Sequence, residues 1–406
     1  MMNKKLVMSA LTSAVLMAMG TAQAAPAKVD NIADAITQGT TKVDLNLRYE
    51  GVQQDNASKD ADALTLRTRL TLATAQYNGL SALVEFEDSR NVAGVNDYND
   101  TNGNNPDYSV IADPNTTELD QAFLQYQRSG FKARVGRQMI ALGNQRFVGH
   151  VGWRQDRQTF DGLTMQYAFN DAFEVDYGYL TKRNRIFAEA KDVDAKDHIF
   201  NASYKLGFGK VTGYGYLLEE DKAEKNGIDT YGINFEGSTK VADAKILYKA
   251  EYASQESTSA AAKYDADYLA LEAGAGIMGY TVKAGYEKLG SDDGMYGFST
   301  PLATLHKFNG WSDQFLGTPK EGLVDIYASV GGSLMSAKWT LAYHKFDADK
   351  ASATVDDLGS EIDASVVMPI NKNYLVGVKY AKYSAGDSTA GKVDTDKVWL
   401  WANAKF

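Results

Sequence analysis

The chain has 406 residues, a formal net charge of −10, 36 glycines, 6 prolines and no cysteine. Without cysteine there are no disulfides, no thiolate metal sites and no lipid-modified N-terminal cysteine. An acidic chain with no basic patch argues against nucleic-acid binding. Beyond the first two dozen residues no apolar run is long enough for a membrane-spanning helix, and no Gly/Ser linker marks a domain boundary.

In chain order, Lys4 and Lys5 precede an apolar run from Leu6 to Gly20, followed by the small-x-small site Ala22-Gln23-Ala24. These are the three parts of a secretory signal peptide, assigned to residues 1–24. Its removal takes two lysines away and moves the formal charge from −10 to −12. Residues 25–40 are read as a short periplasmic N-terminal segment, and residues 41–406 as one β-barrel.

From about Thr41 the chain alternates. Val43, Leu45, Leu47 and Tyr49 oppose Asp44, Asn46, Arg48 and Glu50. Leu64, Leu66, Thr68, Leu70 and Leu72 oppose Thr65, Arg67, Arg69 and Thr71. The same period of two returns over 173–179, 231–235, 246–252, 280–286, 339–343 and 374–380, which means strands with one apolar and one polar face.

A soluble sandwich alternates as well, but three features favour a membrane barrel. Tight turns at Asn78-Gly79, Ser129-Gly130, Asn170-Asp171, Gly207–Gly209 and Met278-Gly279 alternate with long polar loops at Asn91–Thr117, Ala141–Gln158, Lys182–Lys196 and Gly290–Gly322. Short periplasmic turns and long external loops are the pattern of an outer-membrane barrel. The 24 tyrosines and 5 tryptophans gather at strand ends, where amphipathic rings settle at a membrane interface. Finally, Val398, Leu400, Ala402, Ala404 and Phe406 share one face of a last strand, and a terminal phenylalanine there resembles the signal read by barrel-assembly machinery.

The expected fold is therefore all-β, a transmembrane antiparallel β-barrel of about 18 strands, with 16 the other count the spacing allows. Its expected place is the outer membrane of a Gram-negative cell, surrounded by lipid.

With the apolar faces toward lipid, the opposite faces line the interior. They carry Arg48, Arg67, Arg69, Lys132, Arg134, Lys245, Lys249, Lys283, Lys338 and Lys397, against Asp44, Glu50, Glu85, Glu87, Glu174, Asp176, Glu251, Glu361 and Asp363. All 12 arginines lie between Arg48 and Arg185, and the remaining 221 residues have none. Guanidinium groups stay charged and bind carboxylates bidentately, so an arginine ladder inside a pore attracts anions. The plainer reading is that the arginines pair with wall carboxylates and hold the barrel together, and the two roles can coexist. Much of the acid sits in external loops, as at Asp97, Asp100, Asp107, Asp292 and Asp293, away from any constriction.

Two stretches go beyond barrel pattern: Ala133–Gly162, ARVGRQMIALGNQRFVGHVGWRQDRQTFDG, and His306–Val330, HKFNGWSDQFLGTPKEGLVDIYASV. Both resemble the alginate-export family of outer-membrane proteins. The resemblance implies an 18-stranded monomeric barrel that passes an acidic polysaccharide through an arginine-rich constriction. Carried over by position, Arg137, Gln138, Arg146, Trp153, Arg154, Phe160 and Asp161 belong to the first motif, and Lys307, Trp311 and Asp313 to the second. The pore or substrate-binding residues expected are thus Arg48, Arg67, Arg69, Arg134, Arg137, Arg146, Arg154, Arg157 and Lys307. The competing reading makes Trp153, Phe160 and Trp311 packing residues of loops folded into the barrel. The absence of arginine from the second half counts against tight alginate selectivity.

Other signals are weak. Gly274–Gly279 matches GxGxxG but closes a strand at a turn with no helix to follow. The loop 96–107 is rich in oxygen donors yet lacks EF-hand spacing and its closing glutamate, so a solvated loop is preferred to a calcium site. His150, His198, His306 and His344 form no HxxxH pair, and zinc is not expected. An enzymatic barrel would need a nucleophile beside His150 or His306, and no motif supplies one. The leading expectation is a passive channel, without cofactor or metal, for an acidic saccharide or small anion. The alternative is a general porin for small hydrophilic solutes.

Overall fold

The computed structural model describes residues 28–221 and 226–406; the expected signal peptide lies outside them. Eighteen antiparallel strands form one closed sheet. They are β1 Thr40–Gln54, β2 Ala61–Ala73, β3 Leu80–Asp97, β4 Thr116–Arg128, β5 Phe131–Gln138, β6 Thr159–Ala168, β7 Phe173–Asn184, β8 Val193–Leu206 and β9 Gly209–Glu219, then β10 Gly227–Val241, β11 Ala244–Thr258, β12 Lys263–Ile277, β13 Tyr280–Leu289, β14 Leu323–Leu334, β15 Ala337–Asp347, β16 Asp357–Pro369, β17 Tyr374–Ser384 and β18 Thr395–Lys405. Each strand pairs with the next, and β1 closes on β18 with Arg48 opposite Trp401 and Tyr49 opposite Leu400. Closure leaves no unpaired sheet edge, which a wall facing hydrocarbon requires.

The sheet is inverted relative to a soluble protein. Leu47, Leu70, Phe86, Leu124, Val135, Ile233, Val282, Leu341 and Leu400 are exposed on the outer face, whereas Arg48, Glu50, Arg67, Glu87, Glu361, Asp363 and Lys397 are buried within. Apolar atoms outside and paired charges inside suit lipid around the wall and a polar bore.

At the end where β1 starts and β18 stops, the connections are tight. Asn78 (φ 48°) with Gly79 (φ 91°), and Met278 (φ 51°) with Gly279 (φ 85°), place two successive residues at positive φ, the backbone a two-residue hairpin needs to match strand twist. At the other end β3 runs to Asp97, beyond the Asn91 expected from sequence, because after a register shift Asp62 still pairs with Asp97 and Ala63 with Asn96. The segment before β1 is not extended throughout. Lys28–Val29 pairs in parallel with Gln76–Tyr77, and a short helix, Ile32–Thr37, follows with the Asn31 side chain accepting from Asp34 N at 2.8 Å.

The bore is not empty. The β5–β6 loop (139–158) and the β13–β14 loop (290–322) fold inward and form a core with the wall. Ile140, Val148, Phe298, Leu302 and Phe315 pack with inward-facing Tyr214, Tyr216, Tyr268, Phe346 and Tyr383.

Candidate functional site

The two family-like stretches, far apart in sequence, meet inside the barrel. Gly149 N donates to Leu302 O at 2.8 Å and Thr304 N to Gln145 O at 3.0 Å. The Thr304 hydroxyl donates to Gln145 Oε1 at 2.8 Å while accepting from Val151 N at 3.1 Å. Lys307 Nζ donates to Asn144 O at 2.7 Å. The loops therefore form a single inward body.

Arginines tie that body to the wall. Arg146 donates to Glu287 of β13 at 2.7 Å and, across the loops, to Thr300 Oγ1 and Asn309 Oδ1, both at 3.2 Å. Arg154 reaches Glu50 of β1 at 3.0 Å and Asp313 at 2.9 Å, and lies 3.5 Å from Asp113. Arg157 pairs with Glu85 of β3 and with Asp120 of β4, the latter at 2.6 Å. Arg48 pairs with Asp113 and donates to Trp153 O. On the wall next to β1, Glu361 of β16 accepts from Ser312 N at 2.7 Å, and Lys397 of β18 donates to Asp313 at 2.7 Å. Arg48, Arg146 and Arg154 are at most 5 % exposed. Their charge is met inside the protein by geometries that a buried ion requires. In the loop, Asp113 is held below the usual carboxylate range because Arg48 and Arg154 outweigh its burial.

The remaining expected residues divide in two. Arg67 pairs with Asp44 at 2.9 Å and Arg69 with Glu87, both on the inner wall. Arg137 does not face the bore, a correction to the sequence reading. It stands opposite Asp161 in register, on the face of Val135 and Leu163, and binds Asp161 bidentately at 2.8 and 3.1 Å. The alternation of the strand, not the motif, decides its side.

Several inward cations have no carboxylate partner among the described residues, and three of them bear on the lumen's field. Arg134 donates to Gln125 Oε1 at 2.7 Å and lies over the Phe123 ring. Lys132 stands two residues before it on the same face. Lys307 donates to the Asn144 carbonyl and lies over the Phe308 ring, and burial together with Lys249 and Lys283 pushes its ammonium down to about 8. Beneath the first loop lies a recess of about 190 Å³ lined by Asn144, Glu174, Asp176, Asn201, Lys210 and Glu251, among others. The field inside is therefore mixed: unpaired cations near β5 and at the loop junction, carboxylates across the recess.

His306 is 4 % exposed and both ring nitrogens are committed, Nδ1 to Asp313 at 2.6 Å and Nε2 to Lys379 Nζ at 2.6 Å. Burial lowers it to about 3. In loop 98–115 Asp100 accepts from Asn102 N at 2.8 Å and Asn104 N at 3.2 Å, so its carboxylate organises the loop itself.

Sequence reasoning missed Asp113, Asp120, Glu287 and Asn309, the partners that fix the arginines. The alternation of Tyr374, Val376, Val378 and Tyr380 puts Lys379 on the inner face and was a usable signal. Loop residues such as Asp113 carry no period, so nothing local marks them.

The family model described as alginate export matches residues 40–288. Similar solved structures include OccAB1 of Acinetobacter baumannii (14 % identity, TM-score 0.70, 92 % of this chain and 97 % of that one). OccK2 (OpdF) of Pseudomonas aeruginosa gives 14 % identity and TM-score 0.71, covering 92 % of this chain and 98 % of that one. OpdK of Pseudomonas aeruginosa, solved with vanillate, gives 14 % identity and TM-score 0.68 over 90 % of this chain and 98 % of that one. No match was found among curated protein sequences.

Proposed function

The chain belongs to the alginate-export family of outer-membrane channels, and on that premise we propose that it passes acidic oligo- or polysaccharide chains and other small anionic solutes passively. The observation that carries this reading is a group of inward cations without a carboxylate partner, Lys132, Arg134 and Lys307. A cation neutralised by a buried carboxylate offers little to a passing solute, whereas an unpaired one in a narrow, partly dry lumen attracts anions. Arg134 offers a fork for a carboxylate, Lys132 and Lys307 point charges, so a uronate could pass from one to the next.

A second reading has its own support. Arg48, Arg146, Arg154 and Arg157 are all paired, which reduces the net field and favours a general porin for small hydrophilic solutes.

The reversal potential of the refolded protein in a planar bilayer under a salt gradient, followed by oligouronate on one side, separates them. An anion-directed potential with uronate block is expected. A potential near zero or cation-directed, without block, would leave a general porin.

A further inference from the structure

Lys379, midway along β17, is 1 % exposed and has no salt bridge among the described residues. Its Nζ lies 2.6 Å from His306 Nε2 and stands 4.0 Å from the ring centroid of Trp311, 4.3 Å from Trp153 and 5.2 Å from Trp399. Trp153 comes from the first inward loop, His306 and Trp311 from the second, and Trp399 from β18. Trp153 stacks on His306 with centroids 5.1 Å apart and planes 7° apart. Both motif tryptophans thus close on one ammonium of the wall.

We propose that Lys379 is a positioning residue of the constriction: both inward loops seat on its ammonium, and removing that charge loosens them in the bore even though Arg154 and Lys397 still hold Asp313. This rests on the reading of the barrel as a channel, but not on its anion preference.

A buried ammonium without a carboxylate is costly unless other groups satisfy it. Here an imidazole nitrogen accepts one hydrogen bond from the ammonium, and indole faces stabilise the remaining charge, more strongly for being desolvated. The cage is built from three separate segments, so no loop makes it alone. When the loops withdraw, Lys379 faces the aqueous lumen and water replaces the cage, which makes the seat reversible. Arg154 differs, because its loss strands buried carboxylates. Without the lysine's charge, Asp363, buried and inward on the neighbouring β16, is left with less compensation, which disfavours the seated second loop, while Glu361 keeps the hydrogen bonds it accepts from Trp311 N and Ser312.

Lys379→Met keeps the volume and removes the charge; Lys379→Arg keeps charge and ring contact. In planar bilayers Lys379→Met is expected to raise single-channel conductance roughly twofold, because the bore widens where the loops lay, with Lys379→Arg closer to wild type. Tryptophan emission shifts to the red, since Trp153, Trp311 and Trp399 are three of the five tryptophans, and trypsin applied to the folded barrel now cuts at Arg154 or Lys307. Heat-modifiable mobility checks that the wall is intact. Wild-type conductance, emission and trypsin resistance in a folded Lys379→Met barrel would overturn the proposal. If that variant fails to fold, Trp311→Leu removes the cage from the loop side alone, and wild-type readings there overturn it equally. Should neither wild type nor variant conduct, the channel reading fails, while emission and trypsin still decide the seat.

Discussion

The guanidinium of Arg154 lies 2.9 Å from the carboxylate of Asp313, joining two inward loops across 159 residues of sequence. The same group holds Glu50 of the wall at 3.0 Å, so one side chain pins both loops to β1. Arg154→Ala leaves Glu50, Asp113 and Asp313 buried with less compensation, a change that costs about 3–5 kcal/mol in buried ion networks. The heat-modifiable form is expected to unfold at a distinctly lower temperature, with noisier and larger conductance. Arg154→Lys recovers only part of the loss, since a point charge cannot replace a fork bridging several carboxylates. An unchanged unfolding midpoint in Arg154→Ala would mean that the network contributes nothing net.

Arg137 gives the opposite expectation although it belongs to the same motif. Its bidentate pair with Asp161 lies on the outer face, away from the bore, so its loss should leave the field of the lumen unchanged. Arg137→Ala should conduct with the wild-type reversal potential. A shift toward cations in this variant alone would put Arg137 back in the bore.

These two arginines show what could be read from the sequence. Alternation settled the wall: Arg48, Arg67 and Glu50 are inward, and Leu47 and Leu70 outward, because a strand offers only two sides. The strand ladder and its closure followed from turn spacing. Arg137 shows where a motif misleads when period is ignored, since its neighbour Val135 already placed it outside. The constriction itself was opaque. Which carboxylate meets Arg146 depends on Glu287, 141 residues away, and on a loop path that no local propensity encodes. Trp153 and Trp311 read from the sequence as packing residues, but the lysine they pack on comes from a third segment.

Lys307 makes the pore sensitive to alkali. Burial, then Lys249 and Lys283, lower its ammonium to about 8. It is therefore charged below that pH and neutral above it, while an ordinary lysine remains charged beyond pH 10. Anion preference should fall as pH rises from about 7 to 9, and Lys307→Met should flatten that fall while lowering preference at pH 7. A reversal potential constant over this range in the wild type would show that Lys307 does not face the conducting path. For folding the sign is opposite: the unfolded chain holds the proton more tightly, so this residue alone favours the folded barrel more as pH rises from about 8 toward the ordinary lysine value near 10.

The sharpest separation of the two functional readings comes from Lys132 and Arg134. They share the inner face of β5, and the only side-chain hydrogen bond shown there for Arg134 is to the neutral Gln125. Neutralising them as Lys132→Gln with Arg134→Gln removes no ion pair, so the wall should keep wild-type heat stability, unlike the Arg154 variant. If a solute carboxylate uses them, each charge-assisted hydrogen bond contributes about 1.5–3 kcal/mol, and losing both should weaken oligouronate block by roughly tenfold or more. The reversal potential should move toward the cation side in the same experiment. Block and potential identical to wild type would assign these residues to the wall and leave small neutral solutes as the traffic of the pore. A change in potential without a change in block would mean that they set the general field while the carboxylate is recognised elsewhere, with Lys307 the next cation to test.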